Sequence, residues 1–371
     1  MPDNQAAWLT GKKVKALEVR PAAYTPPGEN EIVIRNRAVA INPVDWIKQE
    51  VGDFLYEWVK YPMILGNDVA GEVIEVGSGV SAARFKEGDR VLGHAVGLDK
   101  RSNKTSEGAF QHYVVLRANL ASPIPDFVSF EQACVVPLGA STAASGLFAK
   151  DFLHLQRPRL GAEPNGETLL VWGGSTSVGC NAIQLAVSAG YEVVATASPK
   201  NFGYLKTLGA KEVFDYRSAT VVQDIIAAFR GRTSAGAIAI GANSLVPCIG
   251  IIAASRGRKF VAQASVAGPG KPPTSVTGLA SMLWALTAES VTASVKCKLS
   301  GVRSKFIWGS DVMATEVGSA IYQDFLPDAM ARGKFTPAPK AEVVGNGLGS
   351  IQEAFGVSYK GVSAKKVVVS L

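Results

Sequence analysis

The sequence has few of the residues that build metal centres and disulfide frameworks. Among its 371 residues there are 4 cysteines and 3 histidines. They are Cys134, Cys180, Cys248 and Cys297, and His94, His112 and His154. No two cysteines have CxxC spacing, and no histidine pairs with another histidine or with a cysteine at the spacing of a zinc-binding motif. This scarcity favours neither a structural zinc site nor a disulfide framework, and we expect no bound metal.

Long apolar runs and dense basic stretches are also missing. No apolar run reaches the roughly 18 residues that a membrane-spanning helix needs, and residues 1–4 lack the layout of a signal peptide. The net charge is +7, but the basic residues are scattered or paired, as in Lys12-Lys13 and Lys365-Lys366. We interpret most of them as solvated surface, because a nucleic-acid surface needs a basic stripe with interleaved aromatic residues. The sequence therefore predicts a cytoplasmic protein without a membrane or nucleic-acid partner.

The residues that are abundant describe a globular protein of two domains. Hydrophobic residues make up 47% of the chain and charged residues 19%, and the length suits two hydrophobic cores better than one. Residues 6–125 show closely spaced strand patterns with Gly and Pro turns, which is typical of a partly closed barrel. From residue 129 to about residue 299, helical patterns alternate with apolar strand patterns, which indicates a parallel sheet covered on both faces. A helical pattern at residues 315–332 and a strand pattern at residues 366–370 indicate that the β-rich domain resumes.

The strongest local pattern is a βαβ unit between residues 169 and 200. A short apolar strand pattern (169–172) is followed by a glycine-containing turn, a helical pattern that ends at Gly190, and a valine-rich strand pattern (193–197). Such a turn places the N-terminus of the helix at the edge of a parallel sheet. The free amides there and the positive end of the helix dipole favour a phosphate group.

The glycine signature in this turn is degraded, so two interpretations stay open. Gly174 and Gly179 are present, but Thr176 and Ser177 stand where glycines are often found. The turn could be a dinucleotide-binding loop or a plain connection between strand and helix.

The end of the second strand favours the dinucleotide interpretation and predicts which dinucleotide binds. A cofactor with a free ribose 2′-hydroxyl usually meets an Asp or Glu roughly 20 residues after the glycines. Here that position holds Ser198-Pro199-Lys200-Asn201, without an acid. A lysine and a hydroxyl suit a 2′-phosphate, so we expect NADPH rather than NADH. The alternative is that Lys200 only solvates the following helix.

Several short sequence words, taken together in their order and spacing, carry a resemblance to a known family. They lie at residues 40–46, 65–73, 88–91, 107–113, 136–143, 174–179, 198–201 and 214–217. Through them the chain resembles the medium-chain dehydrogenase/reductase superfamily over essentially its whole length. Within that superfamily it is most similar to the zinc-independent quinone reductases and to the fungal trans-acting enoyl reductases that work beside polyketide synthases.

The resemblance implies an α/β fold in which a Rossmann domain, with a doubly wound parallel sheet, is inserted in a GroES-like β-barrel catalytic domain. We expect the catalytic domain at residues 1–128 and 306–371, and the NADPH-binding Rossmann domain at residues 129–305. The resemblance places the cofactor in the cleft between them. Residues 265–284 are expected to border the substrate site and, with their small side chains, to admit an elongated apolar substrate.

The resemblance also implies roles for individual residues. Those assigned to the cofactor are Asn42, Asp45, Thr142, Gly174, Ser175, Thr176, Ser177, Val178, Ser198, Lys200, Asn201 and Tyr216. Those considered as catalytic donors are Thr142, Lys48 and Tyr56.

Some of these residues have structural alternatives. Asn42-Pro43 could form only a turn, and Thr142 could cap the helix that follows it. Lys48 lies one position beyond the basic residue of relatives, a shift that turns its side chain to the other face of an extended segment. Tyr56 could reach the active site or pack in the core.

The resemblance does not extend to the zinc-binding branch of the superfamily. That branch needs a Cys or His ligand near residues 42–45 and a His near residues 66–68, where this chain has Asn42, Asp45, Asn67 and Asp68. Without a metal, the least demanding reaction is the reduction of an activated C=C bond. Hydride adds to the β-carbon, and a few fixed hydrogen-bond donors hold the enolate oxygen.

The sequence therefore predicts an NADPH-dependent reductase of activated C=C bonds in enoyl thioesters, enones or quinones. The substrate is a small molecule or is bound to a carrier. The alternatives are a zinc-free carbonyl or aldehyde reductase and a catalytically idle NADPH-binding protein. The oligomeric state stays open between a monomer and a homodimer.

Overall fold

The computed structural model describes residues 2–54, 56–264 and 276–371. The chain forms two compact units. Unit 1 consists of Met1–Leu138 and Gly318–Leu371, and unit 2 consists of Gly139–Val317. Unit 2 is therefore an insertion in unit 1, as the predicted fold class requires.

The first segment of unit 1 is rich in strands. Its strands are β1 (Asn4–Leu9), β2 (Glu18–Ala22), β3 (Glu31–Ala40), β4 (Met63–Ile64), β5 (Asp68–Val76), β6 (Arg90–His94), β7 (Tyr113–Arg117) and β8 (Ala121–Pro123). Its helices are α1 (Pro43–Val51) and α2 (Phe130–Ala133), followed by α3 (Pro137–Phe148), which continues into unit 2. Short 3-10 helices lie at Gly52–Phe54, Thr105–Glu107 and Ala118–Leu120.

Unit 2 alternates strands and helices. Its strands are β9 (Glu167–Trp172), β10 (Glu192–Ala197), β11 (Glu212–Asp215), β12 (Thr233–Ala239), β13 (Arg256–Gly257), β14 (Phe260–Gln263) and β15 (Arg303–Phe306). Its helices are α4 (Ser177–Val187), α5 (Phe202–Thr207), α6 (Val221–Ala228), α7 (Leu245–Ala254) and α8 (Val276–Ser300), with 3-10 helices at Pro199–Asn201 and Gly309–Ala314.

The second segment of unit 1 closes the chain. A continuous helical stretch leads into it and consists of α9 (Glu316–Ser319), which spans the junction, a π-helix (Ala320–Phe325) and α10 (Leu326–Ala331). After it come β16 (Lys340–Asn346), a 3-10 helix (Leu348–Ser350), α11 (Ile351–Lys360) and β17 (Lys365–Ser370). The predicted helix at residues 315–332 and the predicted strand at residues 366–370 are both confirmed.

Strand β3 organises the larger sheet of unit 1. The sheet has the order β16-β17-β3-β5-β6-β8, and β7 also pairs with β3. β3 is antiparallel to β5, β7 and β17, whereas β16 and β17 are parallel. Most of its ten residues are buried, as expected for a strand covered on both faces. A smaller sheet has the order β2-β1-β4. This β-rich unit agrees with the predicted GroES-like domain.

Unit 2 contains the predicted doubly wound parallel sheet. The strand order is β11-β10-β9-β12-β14-β15, with β13 beside β12, and all of these pairs are parallel. The order reverses between β9 and β12. In open α/β sheets such a reversal creates a crevice at the carboxyl ends of the strands, which is the usual place of a bound ligand.

The junctions between the units fall after residues 138 and 317, rather than after the predicted residues 128 and 305. Helix α2 packs on β3, β5 and β17, so the segment that contains it belongs to unit 1. At the other junction, β15 pairs with β14, and Ile307 packs against Gly146 of α3. These contacts keep the chain in unit 2 beyond residue 305, and the alternation of helix and strand patterns does not reveal them. Among the described helices, none has the length and apolar character needed to cross a bilayer.

Candidate active site

The turn after β9 packs so closely that two of its positions require glycine. Gly173 has a φ of 85°, and a Cβ there would lie 2.6 Å from the carbonyl oxygen of Ile240, directly after β12. A Cβ on Gly179 would lie 2.3 Å from the carbonyl oxygen of Gly173. The two glycines therefore let the first turn of α4 approach the carboxyl end of β9, beside the point where the strand order reverses.

Thr176 is the N-cap of α4 and not a substitute for a missing glycine. Its Oγ1 accepts a hydrogen bond from the N–H of Gly179 at 3.0 Å and donates to the carbonyl oxygen of Gly173 at 2.8 Å. Its own N–H donates to the same carbonyl at 3.1 Å. Both polar groups of Thr176 thus shape the loop, and its predicted contact with the cofactor stays a prediction.

The remaining loop residues surround the start of an 11-residue helix. Gly174 is buried, whereas Ser175, Ser177 and Val178 are half-buried. A helix of this length presents amide groups and a partial positive charge at its first turn. The tight turn and this helix end together fit the pyrophosphate of a dinucleotide.

The segment after β10 is free of acidic residues, as the sequence predicts. Ser198 is half-buried, Lys200 is exposed and Asn201 is buried, in a 3-10 helix at Pro199–Asn201. The next acidic residue along the chain is Glu212, at the start of β11. The charge that this segment itself contributes is therefore positive, which suits a phosphate better than a neutral ribose hydroxyl.

An exposed aromatic and basic pair follows β11, the strand beside β10. Tyr216 is 45% exposed, and the guanidinium group of Arg217 lies 5.7 Å from the centre of its ring. Arg217 also pairs with Asp215 at 3.2 Å. The sequence-based assignment includes Tyr216 but omits Arg217. Arg217 could have been included from the sequence, because it is a cation that directly follows β11, the strand beside β10.

Asp68 is the centre of a buried set of contacts in unit 1, which we call the Asp68 network (Asn42, Asp68, Leu138 and Lys366). Oδ2 of Asp68 accepts hydrogen bonds from Asn42 Nδ2 at 2.8 Å and from Lys366 Nζ at 2.5 Å. Oδ1 accepts from the N–H of Leu138 at 2.6 Å, at the start of α3. The side chains of Asn42, Asp68 and Lys366 are all buried. The network supplies a buried carboxylate with the donors and the cation that it needs.

The interpretation of Lys365-Lys366 as solvated surface is wrong for Lys366. The side chain of Lys366 is 4% exposed and pairs with Asp68, whereas that of Lys365 is 49% exposed and pairs with Glu342. The physical reason is that successive side chains of a strand point to opposite faces. A signal was present, because Lys366 opens a run of three valines that are all buried. A lysine next to such a run is a candidate for burial, and a buried lysine is almost always paired with an acidic residue.

Asp45 lies in the first turn of α1 and is fully buried. Its Oδ2 accepts a hydrogen bond from the N–H of Asn42 at 2.8 Å, which is part of a capping box with Asn42 as N-cap. Burial raises the pKa of Asp45 to about 8. The charge of Asp68 adds to this shift, whereas the N–H of Asn42 and the ammonium of Lys366 oppose it.

The structure thus gives Asn42 and Asp45 more than the predicted alternative of a simple turn. Asn42 begins α1, with Pro43 at the first helical position, and its side-chain amide also binds Asp68. Both residues are tied to the interior of unit 1. Their predicted contact with the cofactor stays a prediction.

Two further buried groups lie within the electrostatic reach of the Asp68 network. His94 of β6 stands opposite Asp68 of β5 in the strand register. Burial lowers the pKa of His94 to about 4, and the charge of Asp68 opposes this shift. Burial raises the pKa of the Cys134 thiol. At neutral pH both groups are therefore uncharged, and the Asp68–Lys366 pair dominates the local charge.

The ammonium group of Lys48 is committed to the loop that follows α1. Nζ donates to the carbonyl oxygens of Gly52 and Tyr56, both at 3.1 Å, and lies 3.7 Å from Oδ1 of Asp53. The side chain is buried, and burial lowers the pKa of Lys48, a shift that Asp53 opposes. These contacts favour a structural role in shaping the loop. The catalytic role of Lys48 stays a prediction.

Tyr56, another of the predicted donors, lies in the loop that follows α1. Its backbone has a φ of 59°, and its carbonyl group is held by Lys48. The ring packs edge-on against Trp58, with centroids 5.4 Å apart. Burial raises the pKa of Tyr56, and the charges of Asp45 and Asp99 add to the shift. A phenol that keeps its proton at neutral pH can donate a hydrogen bond, and the role of Tyr56 as a donor stays a prediction.

Thr142 lies in the second turn of α3 and is buried. The alternative that it caps a following helix is wrong, because it is an interior residue of α3. Its predicted roles as donor and cofactor contact stay predictions. Of the predicted substrate border at residues 265–284, residues 265–275 lie outside the described residues.

The residues at the positions of the zinc-binding branch do not fit a zinc ion. Within the described ranges, no group of three or more His, Cys, Asp or Glu side chains could hold a metal. Asp68 is already paired with the ammonium of Lys366, and Asn42 directs its amide N–H toward the same carboxylate. A divalent cation at Asp68 would meet a buried ammonium and an amide donor instead of thiolate or imidazole ligands.

Comparison with known proteins agrees with this architecture. Residues 28–126 match the family model of the alcohol dehydrogenase GroES-like domain. The chain is 53% identical to dehydrogenase pigH of Monascus ruber over 100% of both chains. It is 36% identical to trans-enoyl reductase himH of Aspergillus japonicus over 99% of this chain and 97% of that one. The crystal structure of CurK enoyl reductase matches with a TM-score of 0.73 at 20% identity, over 100% of this chain and 99% of that chain, which is a likeness of fold.

Proposed function

Because the chain belongs to the medium-chain dehydrogenase/reductase superfamily and is an oxidoreductase, we propose that it is an NADPH-dependent reductase of activated C=C bonds that works without a metal. The observation that carries the proposal is the Asp68 network, in which Lys366 holds the carboxylate that would otherwise attract a metal. The name of the relative himH, a trans-enoyl reductase, supports the class of reaction. Enoyl thioesters, enones and quinones are the proposed substrates, either free or bound to a carrier.

The Asp68 network is relevant to the reaction class because the candidate reactions develop negative charge in different ways and differ in their need for a metal ion. Interconverting an alcohol and a carbonyl localises charge on one oxygen, and a metal ion often stabilises it as a Lewis acid. Reduction of an activated C=C bond spreads that charge over an enolate. A few hydrogen-bond donors are enough to hold the enolate oxygen, and one well-placed donor is worth about 3 kcal/mol of barrier.

Unit 2 has the features that a phosphorylated dinucleotide needs, and family members use a nicotinamide dinucleotide. Gly173 and Gly179 allow the close turn after β9, and the first turn of α4 offers its amides to the pyrophosphate. Lys200, exposed after β10, is the proposed partner of the 2′-phosphate, and Tyr216 is the proposed neighbour of the adenine. When bound, NADPH supplies a hydride for the β-carbon of the substrate.

Stabilisation of the enolate charge and protonation of the product are assigned to side chains that donate hydrogen bonds or protons. Thr142 and Tyr56 both carry hydroxyl groups that are protonated at neutral pH, and we assign them as donors to the carbonyl oxygen of the substrate. Lys48 is the weaker candidate, because its ammonium already binds two carbonyl groups. The α-carbon takes its proton from water or from a side chain after the charge has been stabilised.

An NADPH-consumption screen tests the proposal. Purified protein is assayed with enones, quinones and 2-enoyl thioesters, with and without EDTA. We expect consumption that depends on the substrate, is insensitive to EDTA and yields a product saturated at the C=C bond. Loss of activity on chelation would contradict the metal-free mechanism.

The same screen separates the proposal from its alternatives. An allylic alcohol as the product from an enone identifies a carbonyl reductase. Tight NADPH binding without turnover across the whole panel identifies an idle NADPH-binding protein. Binding is measured in parallel by the quenching of protein fluorescence, so an inactive sample can be distinguished from an unfolded one.

A further inference from the structure

We propose that Lys366 is a positioning residue: by neutralising Asp68 it preserves the carboxylate that orients the side-chain amide of Asn42. The inference rests on the proposed function only for the place of Asn42 beside the nicotinamide. The link from Lys366 to Asn42 itself depends on contacts within unit 1.

The geometry joins three parts of the chain through one oxygen atom. Oδ2 of Asp68 accepts from both Asn42 Nδ2 and Lys366 Nζ, so the amide and the ammonium share one acceptor. Lys366 is 298 positions away from Asp68 in sequence. Asn42 lies between the end of β3 and the start of α1. The charge of the last strand is thereby connected to the turn that contains Asn42.

The strands around this network do not need the ion pair for their pairing. Val368 pairs with Ala40 of β3, and the N–H of Ile41 donates to the carbonyl oxygen of Val367 at 2.9 Å. A buried ion pair is often no more stabilising than apolar residues of the same volume, because both charges lose their hydration. What Lys366 adds is therefore the fixed charge state and orientation of the groups around Asp68.

Removal of the ammonium changes the hydrogen-bonding character of Asp68. A buried carboxylate without a cation is unfavourable and takes up a proton instead. A protonated carboxyl group carries an O–H donor, so the oxygen that faces Asn42 can no longer be relied on to accept from Nδ2. The amide of Asn42 then rotates or shifts, and the atom that it presents to its other neighbours changes.

The surrounding groups give the ammonium further influence. Asp45 on α1, His94 on β6 and Cys134 after α2 all have pKa values that depend on both Asp68 and Lys366. Lys366 is the cation that these three neighbours share. Loss of the ammonium alone would favour the protonated form of each of them, and protonation of Asp68 would then remove the opposing charge.

The test compares Lys366→Met with a matched control, Lys365→Met. Methionine keeps most of the lysine volume, and the control removes the same charge from the adjacent, exposed position of β17. In Lys366→Met we expect kcat for the best enone to fall by about tenfold or more, because displaced groups lose their alignment. We expect the NADPH dissociation constant to stay within about twofold, because the proposed phosphate contacts lie in unit 2. Lys365→Met should match the wild type in both quantities.

A second readout does not need turnover. The side-chain amide of Asn42 is followed by ¹H–¹⁵N NMR of asparagine-labelled protein and is assigned by its absence in Asn42→Ser, a substitution that keeps a capping hydroxyl. Its resonances should move in Lys366→Met and stay in place in Lys365→Met. If the wild type turns over no substrate, the proposed function fails, but the amide resonances still decide this inference.

A double-mutant cycle shows whether Lys366 acts through Asn42. If it does, Asn42→Ser combined with Lys366→Met should have the kcat of Asn42→Ser alone. If the two substitutions lower kcat by independent factors that multiply, the proposal is overturned. It is also overturned if Lys366→Met folds, keeps the kcat of the wild type and leaves the Asn42 amide resonances in place.

Should Lys366→Met fail to fold, Lys366→Arg replaces it. There the amide resonance and kcat must change together or both stay unchanged, and a change in only one of them overturns the proposal.

Discussion

The ionisation of Asp45 gives a single residue a measurable effect on the stability of the protein. Burial raises its folded-state pKa to about 8, whereas an unfolded chain has an aspartate pKa of about 3.9. Between these values the folded protein holds a proton that the unfolded chain releases. Raising the pH through this window therefore favours unfolding, and the loss is complete above the folded-state pKa.

Asp45→Asn removes this titration and keeps an oxygen that can accept from the N–H of Asn42. Between about pH 6.5 and about pH 8.5, the free energy of unfolding of the wild type should fall by about 2 kcal/mol relative to that of the variant. The comparison is made by urea denaturation at several pH values. His94 is present in both proteins, so its contribution to the pH dependence cancels in the comparison. Parallel pH profiles for the two proteins would show that Asp45 is ionised throughout.

Lys200 provides the corresponding test of cofactor selection. Lys200→Ala should raise the NADPH dissociation constant by about tenfold, because a charge-assisted hydrogen bond to the 2′-phosphate is lost. The NADH dissociation constant should not change. Lys206→Ala, which removes another exposed lysine from the adjacent helix α5, is the control. Equal losses for both dinucleotides in Lys200→Ala would show that the lysine does not recognise the 2′-phosphate.

Single residues were predictable from sequence where a local pattern defines them. The acid-free segment around Lys200 can be counted from the glycines, whereas Asn42-Pro43 was interpreted as a turn or a cofactor contact and not as a helix cap. The Asp68–Lys366 pair spans 298 positions, and no local pattern connects residues so far apart. The valines that follow Lys366 indicate a buried position, but they do not identify its partner, which lies in a different strand.

At the scale of elements, the start of α4 depends on one hydroxyl group. Oγ1 of Thr176 joins the carbonyl oxygen of Gly173 to the N–H of Gly179, so it fixes both sides of the turn. Thr176→Ala should lower the free energy of unfolding by about 1 kcal/mol, the usual cost of losing such a cap. It should also weaken NADPH binding, because the turn that we propose as the pyrophosphate site loses the hydrogen bonds that hold it in shape.

Thr176→Ser is the matched control for this element. Serine keeps the hydroxyl and the preference for the N-cap, so its stability and NADPH affinity should remain near those of the wild type. Both quantities are obtained from urea denaturation and fluorescence titration. A Thr176→Ala protein as stable as Thr176→Ser would mean that the hydroxyl does not hold the turn.

The elements themselves were largely predictable, because apolar periodicity and glycine positions report them directly. The βαβ unit at residues 169–197 corresponds to β9, α4 and β10. The role of Thr176 was missed, because the glycine template treats a non-glycine residue as a defect and not as a cap. The junctions were missed by about ten residues, because packing by α2 and Ile307 decides them and sequence patterns do not report packing.

At the scale of the whole molecule, each of the two units has features that bear on the proposed function. Unit 2 has a parallel sheet, a tight glycine turn and a basic segment after β10. Unit 1 has a buried ion pair where the zinc-binding branch needs metal ligands. These features support the proposal of a reductase in which NADPH supplies the hydride and protein donors stabilise the charge that develops.

The most direct test of the proposed reaction is to determine which product carbon receives deuterium from labelled NADPH. EDTA-treated protein is incubated with an enone and with NADPH that carries deuterium at both C4 positions of the nicotinamide, and the product is analysed by NMR and mass spectrometry. The account predicts a saturated ketone with one deuterium on the β-carbon, formed at the same rate with and without the chelator. An allylic alcohol with deuterium on the former carbonyl carbon, or a rate that disappears after chelation, would contradict it.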